Sequence, residues 1–331
     1  MIYKTFGDSS LKVSRIGLGM AALGRPGYIT LDHGKDLFFD YTESRMEQQA
    51  HQLLDFAWSA GIRYFDAARS YGKGEVFLGN WLQKQNRSFD EWVVGSKWGY
   101  TYTAGWQVEA ENHEIKDHSL PVLQRQWKES VASLHQYPDL YQIHSATLES
   151  GVLTHTAVLN ELARMKSGGI LIGLSLSGPN QAEVLRKAFR VVIDRQPLFD
   201  SVQATWNLLE RSAGSALQEA HDRGMGIIVK EAVANGRLTE KNDRPQFANR
   251  LKILAQEAQR LETSPDALAL AAVLAQPWAD IVLSGATLPA QLQSNVHSLS
   301  VKWDEPAEEK LRELIQSPEE YWQDRKNLAW N

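Results

Sequence analysis

Arg63-Tyr-Phe-Asp-Ala-Ala-Arg-Ser-Tyr-Gly72 reads as a short apolar strand that stops at a carboxylate, Asp66, and carries a phenol, Tyr71, on the loop that follows. Two later stretches repeat the plan. Trp92-Val-Val-Gly-Ser-Lys-Trp98 is an apolar strand that delivers Lys97, and Asp139-Leu-Tyr-Gln-Ile-His144 is another that delivers His144. Asp, Tyr, Lys and His at or just after strand C-termini are a set that can place a proton on a carbonyl oxygen.

The same rhythm runs outward in both directions. Apolar runs at 16–20, 62–65, 92–96, 140–143, 170–174, 201–204, 226–229 and 281–284 read as strands. Amphipathic stretches at 46–60, 76–85, 120–135, 152–167, 181–189, 213–223, 247–262 and 290–297 read as helices between them. Strands that are apolar along their length, rather than alternating, are buried on both faces, as in a parallel sheet. Gly61, Gly168 and Gly224 stand just past helices, where a left-handed cap residue is wanted. Eight such units predict a (β/α)8 TIM barrel as a single domain over residues 1–331. A doubly wound sheet is the main competitor, but it seldom takes eight repeats without a domain break. No linker, low-complexity tract or charge run marks one here.

Several segments lie outside the bare repeat. Residues 2–14 read as a β-hairpin, turning at Gly7-Asp8, that would cap the barrel floor. Long connections at 21–43 and 99–119 follow the first and third strands, the second carrying Tyr100, Tyr102 and Trp106. A tail at 304–331 carries Trp322 and Trp330. Long loops at strand C-termini are where barrels build their pockets, although such aromatics also serve simply to pack loops down.

Composition narrows the class. The formal charge of −5 over 331 residues gives no reason to expect a nucleic-acid partner. The absence of cysteine excludes disulfides, thiolate nucleophiles and Cys-based zinc sites. Lys4 has no apolar core behind it, so a signal peptide is not expected. The longest apolar run, 267–275, is too short to cross a bilayer. The expectation is a soluble, cytoplasmic protein with no membrane partner, in which the sequon Asn86-Arg-Ser88 means nothing.

Taken together, these stretches resemble the aldo-keto reductase superfamily over nearly the whole chain. Phe65-Asp-Ala-Ala-Arg-Ser-Tyr-Gly72 is similar to that family's Asp-Thr-Ala-x-x-Tyr-Gly, Gly95-Ser-Lys97 to its strand ending in Lys, and Asp139-Leu-Tyr-Gln-Ile-His144 to its Asp-Leu-Tyr-x-x-His. Gly173-Leu-Ser175 resembles the Gly-x-Ser after strand five, and the segment from Ser201 to Arg211 resembles the Val-Gln-x-x-Tyr-Asn-Leu-Leu-x-Arg of strand six. The resemblance implies a barrel that binds NADPH or NADH extended, without a Rossmann domain, and acts on a small-molecule aldehyde, ketone or sugar. Tyr71 would be the general acid or base, Lys97 the cation that lowers its pKa, Asp66 the partner of that ammonium, and His144 a neutral group polarising the substrate oxygen. Each alone has a bland reading: a histidine at a strand end is more often a satisfied polar group, and an Asp–Lys pair can be purely structural. Four together favour chemistry. The remaining histidines are given no role.

Gly17-Leu-Gly-Met-Ala-Ala22 matches a dinucleotide fingerprint with Asp40 near the right distance, but Leu23-Gly-Arg-Pro-Gly27 breaks the helix such a motif must open. Gly19 and Met20 are expected to border the nicotinamide ribose instead. Where many members of the family have Asn, this chain has Leu176, so Ser175 and Gln203 would have to recognise the carboxamide. Lys230 stands where an aromatic often stacks on the nicotinamide, and is placed toward the pyrophosphate. The segment Ser284–Asn295 resembles the family's phosphate loop and adenine helix, yet contains no Lys or Arg for a 2′-phosphate. Gly285, with its neighbouring backbone N–H groups, would hold a phosphate, Thr287 and Gln291 a phosphate or a ribose hydroxyl, and Asn295 the adenine. Weaker discrimination in favour of NADPH than usual follows, with NADH or NAD⁺ preference left open.

Tyr100, Trp106 and Trp206 are the candidate substrate walls. Two alternatives to a carbonyl reductase remain: a slow or non-catalytic nucleotide-binding regulator, resembling potassium-channel β subunits, and an unrelated barrel such as a metal-dependent hydrolase. An NAD-dependent sugar dehydrogenase is a variant of the first reading. A metal site needs clustered His and carboxylates at strand ends, where only Asp66 and His144 stand. Oligomeric state is open.

Overall fold

The structure, a computed structural model, describes residues 1–85 and 91–331, so the sequon Asn86-Arg-Ser88 lies outside the described residues. Eight parallel strands close on themselves in chain order: β1 Ile16–Gly19, β2 Tyr64–Asp66, β3 Val93–Trp98, β4 Leu140–Ala146, β5 Leu171–Leu176, β6 Ser201–Thr205, β7 Gly226–Lys230 and β8 Ile281–Ser284. Around them lie α1 Glu43–Ser59, α2 Gly74–Lys84, α3 Leu120–Leu134, α4 Thr156–Ser167, α5 Gln181–Ala188, α6 Gly214–His221, α7 Pro265–Leu274 and α8 Pro289–His297. Every residue of β2, β3 and β6 is buried, polar ones such as Asp66, Lys97 and Gln203 included, which is why these strands show no in–out alternation.

Register places the mouth residues. Gly19 pairs with Asp66, and Asp66 with Gly95. Lys97 lies two residues beyond Gly95, hence on the same face of β3. Below this layer Tyr64 crosses the barrel: a Cβ on Gly95 would come within 2.4 Å of its Oη, and one on Gly17 within 2.8 Å of its Cδ1. Small residues facing a large one let the interior interdigitate without voids. The hairpin Tyr3–Thr5/Lys12–Ser14 closes the opposite end, where Phe6 and Val13 pack against Tyr64, Val93, Leu140, Ile228 and Ile281.

The seventh helix departs from the sequence reading. A helix at Ala248–Arg260 occupies the stretch assigned to it, but the barrel helix before β8 is α7, in the run read only as an apolar segment. Residues Ala267 to Val273 are all buried, so α7 has no polar face and no 3.6-residue signal. Leu254 and Ala258 of the preceding helix join α7 and the tail helices Glu305–Leu311 and Pro318–Lys326 in a second apolar cluster.

Three segments gather over the C-terminal ends of the strands. The connection after β1 contains the helical turn His33–Asp36, and that after β3 forms the hairpin Tyr100–Tyr102/Glu114–Lys116. The tail crosses back to the first of them: Tyr28 and Asn331 exchange backbone hydrogen bonds at 3.2 Å, and Asn331 Nδ2 donates to Thr30 O at 2.9 Å. Among the described residues no helix is long and apolar enough to cross a membrane.

Candidate active site

The Asp66–Lys97 pair is the floor of the site. The ammonium, 0% exposed, donates to Asp66 Oδ2 and, at 3.0 Å, to the carbonyl of Ala67; Asp66 is 2% exposed. Asp66 Oδ1 accepts from Gln203 Nε2 at 2.9 Å and from Tyr64 Oη at 3.3 Å. A buried charge needs its remaining polar valences met, and these contacts supply them. The amide N–H₂ of Gln203 is therefore engaged by Asp66, a role its position in the sequence did not suggest.

Tyr71 reaches this pair from the loop after β2, its hydroxyl 3.4 Å from Lys97 Nζ. The loop is held on both sides. Ala67 N–H donates to Gly95 O at 2.8 Å and Arg69 N–H to Lys97 O at 3.1 Å. The Arg69 guanidinium pairs with Glu75 at the start of α2 and donates through Nε to Glu129 of α3 at 3.2 Å. Glu75, itself buried, accepts from the Ser96 hydroxyl of β3 at 2.5 Å. Two strands and two helices thus fix one phenol. Its ring meets that of His144 edge-on at a centroid separation of 5.6 Å. Ser70 Oγ lies 3.4 Å from His144 Nδ1, and the Tyr100 ring stands 5.0 Å from the imidazole.

Electrostatics assign the protonation states. Burial, followed by the charge of Asp66, pushes the Tyr71 phenol well above its ordinary 10. The lowering expected from Lys97 is opposed by burial and by the negative charge of Asp66, so the net shift is upward. Tyr71 is protonated at neutral pH. His144 is pushed well below 6.5, chiefly by burial and then by the charge of Lys97, so its ring is neutral. The arrangement offers a buried O–H donor beside a neutral imidazole.

A cleft of about 440 Å³ runs from Asp66 and Tyr71 to the loop after β8 and the start of α8. Gly19, Gln203, Lys230, Gly285, Gln291 and Asn295 line it. Met20, Ser175 and Thr287 are buried behind its wall. Met20 N–H donates to Asp66 O at 2.8 Å, Ser175 Oγ accepts from Ser145 N–H at 2.8 Å, and Thr287 Oγ1 donates to Asp36. Lys230 Nζ donates to Thr205 Oγ1 at 2.9 Å, and burial pushes its ammonium down to about 8 against the opposing pull of Glu231. Glu231 is clamped by Arg325 of the tail at 2.6–3.0 Å. Asn295 has both ends of its amide engaged, by Ser284 Oγ at 2.7 Å and Asp266 Oδ2 at 3.0 Å.

Two expected substrate walls lie elsewhere. Trp206 is 4% exposed, packs edge-on against Trp278 and lies against Gly214 at the start of α6, and it is not among the residues lining the cleft. Trp106 donates its indole N–H to Tyr41 O at 2.6 Å and packs on Phe77 of α2, bordering a separate surface groove. Around the cleft the sequence reading missed Tyr28, Asp36, Glu231 and Lys241. All sit in connections with no periodic pattern, and their partners are far away in the chain, so no local signal marks them. Among the described residues no group of three or more His, Cys, Asp or Glu is placed to hold a metal ion.

The sequence pattern of the aldo/keto reductase family matches residues 15–316. The chain is 26% identical over 323 residues to the uncharacterized oxidoreductase YqkF of Bacillus subtilis (strain 168), covering 90% of this chain and 91% of that protein. It is 25% identical over 344 residues to the NADH-specific methylglyoxal reductase of Escherichia coli (strain K12), covering 95% and 98% respectively. Among solved structures, the aldo-keto reductase AKR11C1 from Bacillus halodurans, in its holo form, matches with a TM-score of 0.73 at 21% identity, over 96% of this chain and 97% of that one, a likeness of fold.

Proposed function

The chain belongs to the aldo/keto reductase family, and from that premise we propose that it reduces the carbonyl group of a small molecule to the alcohol with a nicotinamide nucleotide, Tyr71 being the proton donor. One observation carries this reading: the Tyr71 hydroxyl, 3.4 Å from Lys97 Nζ, stands at one end of the same long cleft whose other end is the loop after β8.

The residues present fit a dinucleotide. A Cβ built on Gly285 meets nothing within 4 Å, so the backbone there is open to a phosphate at the approach to α8. Asn235 Oδ1 is buried on the cleft wall without a partner among the described residues, an acceptor available to a ligand donor. Gly285 and Gln291 would hold the adenosine half, Lys230 would face the pyrophosphate, and Gly19 would border the nicotinamide ribose. When bound, the nicotinamide supplies the hydride.

The chain's own groups handle the proton. Burial keeps the Tyr71 hydroxyl protonated and ready to donate as charge develops on the substrate oxygen. The Lys97 ammonium stabilises the phenolate left behind, and Asp66 with Gln203 keeps that ammonium in place. His144, neutral, shares the oxygen and orients it. Tyr100, beside His144, bounds the substrate. The protonated phenol is the form that reduction uses, since the substrate oxygen takes up a proton as the carbon takes the hydride. The test is dihydronicotinamide oxidation against a panel of small aldehydes, ketones and aldoses. Turnover with wild type and its loss in Tyr71→Phe are expected; wild type that binds the nucleotide yet reduces nothing in the panel would favour the regulatory alternative.

A further inference from the structure

The wall of the cleft remote from Tyr71 is acidic where a 2′-phosphate reader would be basic. Asp36, from the turn after β1, is 8% exposed and borders the cleft beside Gln291 and Lys241. Its Oδ2 accepts from Thr287 Oγ1 at 3.0 Å and from Gln291 Nε2 at 2.9 Å. Lys241, from the connection after β7, donates to both carboxylate oxygens at 2.7 and 2.6 Å. Gln49 of α1 pins the two segments together, donating to Asp36 O at 3.0 Å and Thr287 O at 3.1 Å. The side chains of 284–295 that would turn toward a phosphate are thereby engaged by a carboxylate.

Resting on the nicotinamide-nucleotide reading above, we propose that Asp36 sets the cofactor choice: its carboxylate accepts from the adenosine ribose hydroxyls of NADH and excludes the 2′-phosphate of NADPH. A carboxylate has about four acceptor positions. Oδ2 is used by Thr287, Gln291 and Lys241, whereas among the described residues Oδ1 takes only Lys241, which leaves room for a hydroxyl. A carboxylate on the ribose hydroxyl is the device by which dinucleotide sites of another fold read NAD. A phosphate in the same place sets like charges side by side, with one ammonium, Lys241, between them. Specificity here is a difference between two affinities, so the repelling group matters as much as the attracting one.

The experiment measures Kd for NADH and for NADPH by quenching of tryptophan fluorescence on the full chain. Wild type is compared with Asp36→Asn, Asp36→Ser and Asp36→Ser/Lys241→Met. Wild type is expected to bind NADH at least about thirtyfold tighter. Both single variants should cut that ratio about tenfold or more, mainly by tightening NADPH, because Lys241 is released to pair with the phosphate. The double variant should lose that gain. Equal weakening of both nucleotides in the single variants would overturn the proposal, since it is what a purely structural aspartate would give. NADPH tighter than NADH in wild type would overturn it too. Failure of wild type to bind either nucleotide would overturn the underlying reading along with it.

Discussion

Replacing Asp66 with Asn removes the anion that compensates a fully buried ammonium. Lys97 then keeps the Ala67 carbonyl, 3.0 Å away, and the Tyr71 hydroxyl at 3.4 Å, neither of which carries an opposing charge. Breaking one side of a buried ion pair costs roughly 3–5 kcal/mol. Scaling the usual unfolding entropy to a chain of this length gives about 0.7 kcal/mol per degree at the melting temperature, so Asp66→Asn should melt roughly 4–7 °C below wild type. Lys97→Met should also destabilise, by less, because Asp66 retains Gln203 and Tyr64 as donors. Removing both charges together should recover much of the loss, since the penalty lies in the unpaired charge rather than in the missing attraction. Activity should not recover with it. Melting curves of the four proteins, followed by circular dichroism, close the cycle. Additive losses in the double variant, or a change under about 1 °C for Asp66→Asn, would refute the coupled pair.

Tyr71→Phe should lower kcat by about 10²–10⁴, the usual contribution of a positioned general acid, while nucleotide Kd stays within about threefold; fluorescence titration beside steady-state rates reads both. Burial pushes His33 and His118 down to about 4, in the latter case helped next by the charge of Lys116. Their unfolded forms bind protons first as pH falls, so stability drops between pH 6.5 and 4, by roughly 2 kcal/mol per histidine at pH 5. His33→Gln should remove one proton from that slope in urea titrations at several pH values, and an unchanged slope would count against the burial of the ring. Trp106→Phe should leave KM for the carbonyl substrate unaltered while costing about 1 kcal/mol through the lost bond to Tyr41 O; a several-fold rise in KM would return Trp106 to the substrate site.

The barrel was legible because its strands are buried on both faces and its helices, with one exception, have a polar side. That exception, α7, is apolar all round, and periodicity cannot see a helix without two faces. The strand-end residues were legible because a strand tip fixes where a side chain goes: Asp66 and Lys97 needed only the register, and His144 follows the last regular pair of its strand, Ile143 with Leu174, just before an irregularity. Their surroundings were not. The bond from Gln203 to Asp66 spans 137 residues and crosses the barrel, and the Asp36–Lys241 bridge joins two irregular connections 205 residues apart. The aromatics divided on the same ground. Tyr100, which opens the hairpin after β3, came to lie against His144, whereas Trp106 and Trp206 pack on apolar partners that no local pattern announces.

The central claim is tested most directly by isotope transfer. NADH carrying deuterium at both positions of the reactive carbon is incubated with wild type or Tyr71→Phe and a small aldehyde reduced by the wild type, and the product is read by mass spectrometry. The account predicts one deuterium on the carbinol carbon with wild type and almost none with the variant, though the variant still quenches with NADH. Labelled product from the variant at the wild-type rate, or unlabelled alcohol from the wild type, would contradict it.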